Sequence, residues 1–439
     1  MVAKAFLTSA VAVSIALSAA SAAHGGWMGE GEQGVTPAEA AAGWVSLFDG
    51  RSTSGWRGYR QDGFPEKGWV VEDGALKVIG GGGGGDIITT EQYGDFELQL
   101  EWKASPKANS GIMYRVAERH SYPWMTGPEF QVLDDMGHGL SPTDPHSAGA
   151  MYDLCSPAEG KVLRPAGEWN HARIMVKDGV ARHWINGKKV VECRIDDAAW
   201  AERVAGSKFK GYEGFGVQPR GHIALQDHGD TVWYRNIKIR DLDAPMPGEV
   251  TLFNGEDLSG WTAISPEASS NQRDPAATWK VVDGVLVCSG TPAGYLRTNE
   301  DYTNYVLRLQ WRFNPVTKQA GNSGVLLRMI GEDKVWPKSV EAQLQSGNAG
   351  DFWNIDNFRM TTDPARTSGR NTKKLLMAEN PIGEWNDYEI IVDGGEVTLW
   401  VNGELVNRAT DVEEVAGKIC LQSEGAEIHF RNIRLAPIK

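Results

Sequence analysis

Four cysteines in 439 residues are too few to build a disulfide scaffold. They fall two to each half, Cys155 with Cys193 and Cys288 with Cys420, at unrelated positions, so small buried hydrophobes are expected of them. Basic charge is also short. Against 57 Asp and Glu stand 44 Lys and Arg, a net charge of −13, which excludes nucleic acid as a partner, because phosphates demand a basic face. A neutral or weakly charged ligand fits better. After residue 22 no run reaches the ~18 uninterrupted apolar residues of a membrane span, so no integral membrane segment is expected beyond the N-terminus. There, Lys4 precedes an apolar stretch over residues 5–20 and a small-residue Ala20-Ser-Ala22 site, the layout of a cleaved secretory signal over residues 1–22. An exported chain, periplasmic or extracellular, is expected. Helical periodicity is scarce, confined to residues 36–42 and 198–205.

What the chain has is repetition. Ser46-Leu-Phe-Asp-Gly-Arg-Ser-Thr-Ser-Gly-Trp56 returns as Thr251-Leu-Phe-Asn-Gly-Glu-Asp-Leu-Ser-Gly-Trp261. Asn109-Ser-Gly111 returns as Asn322-Ser-Gly324, Gly167-Glu-Trp-Asn170 as Gly383-Glu-Trp-Asn386, and Arg235-Asn-Ile237 as Arg431-Asn-Ile433. The spacing of roughly 200 residues is far above that of a solenoid repeat, so each copy is a whole domain. The Pro- and Gly-rich stretch 241–248 separates them, giving domains over 44–243 and 249–437. Within each, segments such as Phe96-Glu-Leu-Gln-Leu-Glu-Trp102 alternate apolar and polar, the pattern of half-buried antiparallel strands. Asp73-Gly74, Asn186-Gly187, Asp283-Gly284 and Asn402-Gly403 mark hairpin turns. The fold class predicted is all-β: two tandem antiparallel β-sandwiches of jelly-roll type. The six glycines 80–85 precede a strand pattern rather than a helix, so they predict a flexible hairpin loop instead of a phosphate cradle.

Two copies of one fold work as a control: what both keep is scaffold, and what one alone has is chemistry. Seven of nine histidines lie in the first copy, and imidazoles serve proton transfer near neutral pH. Strand parity sorts the polar residues. Burying Phe130 and Val132 turns Glu129 and Gln131 to the opposite face, burying Ile112 and Tyr114 turns Arg115 there, and burying Ile223 and Leu225 turns Gln226 and His228 there. The second copy keeps this frame as Arg328, Glu341, Gln343 and Gln422 but has Ser423-Glu424 where the first has Asp227-His228. Asp227, Asp134 and His146 are further candidates for an acid or a metal ligand. No cofactor is called for, and a divalent metal ion stays open, since Asp227-His228, Asp134-Asp135 and His138 could converge without any paired-ligand spacing. Most tryptophans recur in both copies and belong to the scaffold. Trp124 and Trp353 do not recur, so they join Tyr152, Asp153, Arg328, Glu341 and Gln343 as candidate substrate contacts. The rival reading is a non-catalytic, lectin-like carbohydrate-binding protein in both halves.

Leu47-Phe-Asp-Gly50, Tyr93-Gly-Asp-Phe96, Asn109-Ser-Gly-Ile112 with Arg115, Gly127-Pro-Glu-Phe-Gln131, Ala148-Gly-Ala-Met-Tyr-Asp153, Gly167-Glu-Trp-Asn170 and Gly221-His-Ile-Ala-Leu-Gln-Asp-His-Gly229 span most of the first copy. Together they resemble the 3-keto-disaccharide hydrolase domain family. That resemblance implies a concanavalin A-like fold and cleavage of a glycoside whose sugar carries a ketone at C3, by hydrolysis or by elimination followed by hydration. The ketone acidifies the C2 hydrogen. A base removes it, the enolate expels the C1 oxygen, and water later adds, so the site needs a base, an enolate stabiliser and an acid. The resemblance assigns His228 or Glu129 as base, Arg115 with Gln131 at the oxyanion, and Asp134 or His146 as acid or metal ligand. The second copy departs from the pattern at Asp227, His228, Ala148–Asp153 and Pro128, so it is expected to be a binding or supporting domain.

Overall fold

The computed structural model describes residues 34–266 and 278–439; the expected signal segment lies outside the described residues. Two β-sandwiches account for the chain. In the first, an eight-stranded sheet packs on a five-stranded sheet that runs, edge to edge, Trp56–Gly58, Ile87–Thr89, His222–Leu225, Asn109–Val116 and Glu129–Leu133. In the second, both sheets are eight-stranded. Strand pairings are antiparallel throughout, and the alternation written in the sequence is obeyed: Leu98, Leu100 and Trp102 of Phe96–Ala104 point inward and are buried. One apolar cluster fills each sandwich.

The turns form where the dipeptides predict them. Asn186 (φ 48°) and Gly187 (φ 81°) join Val180–Ile185 to Lys188–Arg194, and Asn402 (φ 50°) and Gly403 (φ 79°) do the same in the second copy. Two successive positive φ values match the right-handed twist of the flanking strands. The two short helical patterns are also helical here, Pro37–Ala41 capped by Thr36 and Ala198–Ala205 capped by Asp197.

Two expectations fail. The glycine run is not a loose hairpin loop. It carries the chain from Ala75–Val78 of the large sheet to Ile87–Thr89 of the small one, and the backbone N–H groups of Gly84 and Gly85 donate to Asp227 Oδ2 at 2.9 and 3.1 Å. Gly68 packs so closely on it that a Cβ there would lie 2.2 Å from Gly84 N. Glycine is needed for that contact and for the backbone as well, since Gly68 takes φ 78° and Gly81, Gly83 and Gly85 take 71°, 64° and 74°. Cys155 and Cys193 form a disulfide instead of separate buried thiols, whereas Cys288 and Cys420 are buried and free as expected.

The eight-stranded sheet of the first sandwich and the sheet of the second that holds Tyr305–Phe313 and Asn386–Asp393 turn their outer faces to each other. Lys177 pairs with Asp387 at 2.6 Å, and Arg240 bridges Glu97 of its own domain and Glu389 of the other, each at 2.7 Å. The Arg173 guanidinium sits 4.1 Å from the Trp184 ring and 5.5 Å from Trp400, and Trp44, Met246, Val306 and Ala436 form a shared apolar cluster. Burial of Glu97 and Glu389 is therefore compensated on both sides by arginine, which keeps both carboxyls below their ordinary range despite desolvation. The four sheets are stacked with these two in the middle. The face of the five-stranded sheet that carries Glu129 and the face of the second domain that carries Glu341 consequently point to opposite sides of the molecule.

Candidate active site

The strand Asn109–Val116 sets the geometry. Gly111 lies opposite Gln131 and Met113 opposite Glu129, which puts both polar side chains on the face away from the core, as parity predicts. The Glu129 carboxyl lies over Gly111, where a Cβ would come within 2.0 Å of Oε1. Ser110 turns the other way and donates to Gln226 O at 2.6 Å, while Gln226 N donates to Gly111 O at 3.0 Å. The second copy repeats the arrangement, with Ser323 donating to Gln422 O at 2.8 Å and a Gly324 Cβ 2.6 Å from Glu341 Oε1. The recurrent Asn-Ser-Gly is thus a seat for a buried glutamate.

Polar contacts extend from that glutamate. Oriented by its surroundings, the Gln131 amide donates to Glu129 Oε1 at 3.2 Å and to Ser110 O at 3.1 Å. The Gln131 amide oxygen then faces the Asn109 side chain at 3.2 Å, and the other end of the Asn109 amide meets His228 Nε2 at 3.3 Å. His228 is exposed at the outer end of this chain. Glu129, Gln131, Gln226 and His228 are therefore gathered on one surface.

Two residues that sequence reasoning missed complete it. Lys208 Nζ lies 4.0 Å from the Tyr152 ring and 5.3 Å from Trp124, and its charge acts on Glu129. Asp86, beside the glycine run, also acts on Glu129, and its Oδ1 accepts Asp227 N at 2.9 Å. Burial pushes Glu129 well above the ordinary carboxylate range, with Lys208 opposing and Asp86 reinforcing the shift. Burial likewise raises Asp86, to about 7, and lowers Lys208. Two carboxyls and an amine whose protonation is shifted toward neutral pH thus share one cleft, the setting in which acid, base and oxyanion partner are built.

Other candidates stand around the cleft. Tyr152 N donates to Glu129 O at 3.0 Å. Asp153 (φ 61°) accepts Lys208 N at 3.1 Å and holds His146 Nε2 at 3.3 Å, whose Nδ1 contacts Asp144 at 3.1 Å. Trp124 is half-buried, edge-on to Tyr212 at 5.2 Å and stacked with Tyr122.

Three assignments are corrected. Arg115 does not share the Glu129 face: Tyr114 and Arg115 together oppose Ile223 in a bulge, Arg115 takes φ 53°, and its guanidinium pairs with Asp95 Oδ1 at 3.2 Å and reaches Gly94 O. Parity resets past the bulge, so Val116 joins Met113 on the outer face instead. Asp134 follows the end of its strand and accepts Lys107 N at 2.8 Å, and His138 Nε2 meets Lys107 O, so neither faces Glu129. Asp227 spends its carboxylate on Gly84, Gly85 and Gly229. Among the described residues no three His, Cys, Asp or Glu side chains gather as metal ligands.

In the second copy Arg328 repeats the bulge (φ 50°) and donates to Thr303 O, Glu413 O, Gly394 O and Asn304 Oδ1, while Gln343 Oε1 accepts the backbone N–H groups of Leu344 and Gln345. Both are structural, so neither fits the substrate-contact role expected of it. Trp353 lies opposite Glu341, on its face. The segment that carries Lys208, between strands Lys188–Arg194 and His222–Leu225, shrinks in the second copy to the few residues between Glu404–Ala409 and Lys418–Ser423.

Several known proteins are similar to this chain. A 3-keto-disaccharide hydrolase from Bacteroides thetaiotaomicron is 36% identical over 233 residues, 46% of this chain and 80% of that protein. A solved structure from Parabacteroides distasonis, named as a glycosyl hydrolase, is 32% identical, with 48% of this chain and all of its own covered and a TM-score of 0.44. A second from the same organism is 27% identical, with 45% and 99% covered and a TM-score of 0.36. The 3-keto-alpha-glucoside-1,2-lyase-like domain matches residues 43–240 and again residues 248–436, so the chain belongs to that family and carries its domain twice.

Proposed function

We propose that this is an exported enzyme that cleaves 3-keto-glycosides or 3-keto-disaccharides on its first domain, by elimination across C1 and C2 followed by hydration. The observation that carries the reading is the cluster of Glu129, Asp86 and Lys208 over the Asn109-Ser-Gly111 seat. Family membership and the named activity of the Bacteroides relative support it, and the signal-like residues 1–22 support export.

The roles follow from charge. Glu129, in its ionised form, takes the C2 proton, and its raised basicity strengthens it as a base near neutral pH. The C2–H pair moves into the C2–C3 bond and the ketone becomes an enolate, whose oxygen the Lys208 ammonium stabilises at a site of low dielectric. The enolate then restores the ketone, its electrons form a C1–C2 double bond, and the C1–O bond breaks. Asp86, protonated near neutral pH, supplies the proton to the leaving oxygen. Adding water across C1 and C2 gives the hydrolysis product. Trp124 and Tyr152 offer aromatic walls for the sugar ring.

Incubating the full chain with an aryl 3-keto-glucoside tests this. Released phenol, with a 1,2-unsaturated 3-keto sugar trapped before hydration, is expected. Release from the unoxidised glucoside at the same rate, or no release from either, would overturn it.

A further inference from the structure

The second domain keeps the glutamate seat, with Asn322 and Gln422, and changes the charged residues around it. Glu341 is buried over Gly324, beside Gln422. Where the first domain has Asn109 touching His228, Asn322 touches Glu424, both through its amide and through a backbone bridge. The result is a second carboxyl, Glu424, close enough that its charge acts on Glu341. No segment corresponds to the one bearing Lys208, and Arg370 reaches Glu341 only from an exposed position.

The hydrogen-bonding balance of this cluster is open. The Gln422 amide leans on the Glu341 carboxyl and Asn322 on Glu424, yet both amide atoms of Gln422, which is 1% exposed, lack a well-aligned partner, as do Asn322 Oδ1 and Glu424 Oε2. Buried polar atoms are ordinarily well satisfied, so four that are poorly aligned beside a glutamate point to a polar ligand. Trp353, half-buried and opposite Glu341 in register, supplies an apolar ring on the same face.

We infer that the second domain is a separate binding site for an unoxidised sugar, in which Glu341, Glu424, Gln422 and Asn322 take its hydroxyl groups and Trp353 its ring face. It rests on the carbohydrate reading above. The preference is chemical: acceptor oxygens stand here beside the Gln422 amide nitrogen, a set that a hydroxyl, which donates and accepts at once, can satisfy and a ketone oxygen, which only accepts, cannot. The first domain, with an ammonium aimed at its cleft, suits the ketone. The two sites lie on opposite faces, so each binds without the other.

The test uses the full chain carrying Glu129→Gln, to stop turnover, and titrates maltose, sucrose, trehalose and cellobiose with their 3-keto counterparts by calorimetry. At least one unoxidised disaccharide should bind saturably, and its affinity should fall about tenfold or more in Glu424→Gln, in Trp353→Ala and on replacing the sugar by its 3-keto form. No binding by any of the four, binding indifferent to both substitutions, or tighter binding of the 3-keto form at the site those substitutions report would overturn the inference. Phenol release from the 3-keto-glucoside by the unsubstituted chain is measured alongside. Release without disaccharide binding defeats this inference alone, and binding without release defeats the first-domain reading alone.

Discussion

The two domains share a seat and differ in its occupant's company. Gly111 and Gly324 leave the same space, Ser110 and Ser323 make the same bond to the neighbouring strand, and each seat buries a glutamate. Around Glu129 stand a lysine, an aspartate and a histidine-terminated amide chain; around Glu341 stand a glutamate and unsatisfied amides. A buried carboxyl alone is therefore scaffold that both copies inherited, and the neighbours decide what it does. Burial raises Glu341 to about 8, much as it raises Glu129, so a raised pKa does not by itself separate a catalyst from a binder.

Glu129→Gln should cause the largest change, lowering kcat/KM on a 3-keto-glucoside by about 10²–10⁴, the range for loss of a general base, while circular dichroism shows the fold kept. The matching Glu341→Gln, on the far face, should move it much less; equal losses would erase the contrast between the domains. Lys208→Met should follow, lowering kcat by about 10²–10³ if the ammonium meets the enolate, with Lys208→Arg recovering part of it. A loss confined to KM would reduce Lys208 to a binding contact.

The arginines sharpen the comparison from the structural side. Arg328→Met strands several buried acceptors and should cost about 3–5 kcal/mol in thermal or urea unfolding, and Arg115→Met, with fewer partners and Asp95 half exposed, should cost less. Residual turnover per folded molecule should be retained in both. A collapse of kcat in folded Arg115→Met would return that residue to the site.

Asp86 gives the smallest and most specific signature. Its carboxyl is raised from 3.8 to about 7 in the folded chain, so between those values the native state holds a proton that the unfolded chain has released. Stability should therefore fall as pH rises from about 4 to about 7 and level off above. Asp86→Asn should flatten that slope in a series of melting curves. An unchanged slope would show that Asp86 is ionised in the native state and unable to serve as the acid.

Much of this was legible in the chain. Alternating strands, Asn-Gly turns, the tandem repeat and the glutamate frame all follow from local rules of period and propensity, and local rules survive folding. Parity placed Glu129 and Gln131 together because their strand is regular, and Gln226 and His228 reach the same face just past the end of their strand at Leu225. It misplaced Arg115 because one bulged residue with positive φ reverses every side chain beyond it, and Arg115 carries no local mark of that conformation. Asp134 and Asp227 look catalytic in sequence because carboxylates that bind backbone N–H groups in loops are indistinguishable there from free ones. Lys208 and Asp86 were missed for the opposite reason: each reaches Glu129 across a long connection. The extra segment of the first copy, absent from the second, was the available signal for Lys208, and the glycine run anchored on Asp227 was the one for Asp86.

The account turns on where a 3-keto sugar sits. Crystals of the full chain soaked with a 3-keto C-glucoside, whose C1–C bond elimination cannot break, should show it on the five-stranded sheet of the first domain, with its C3 oxygen toward Lys208 and its C2 hydrogen toward Glu129. Density for that ligand only beside Glu341 and Trp353, with the first cleft empty, would contradict it.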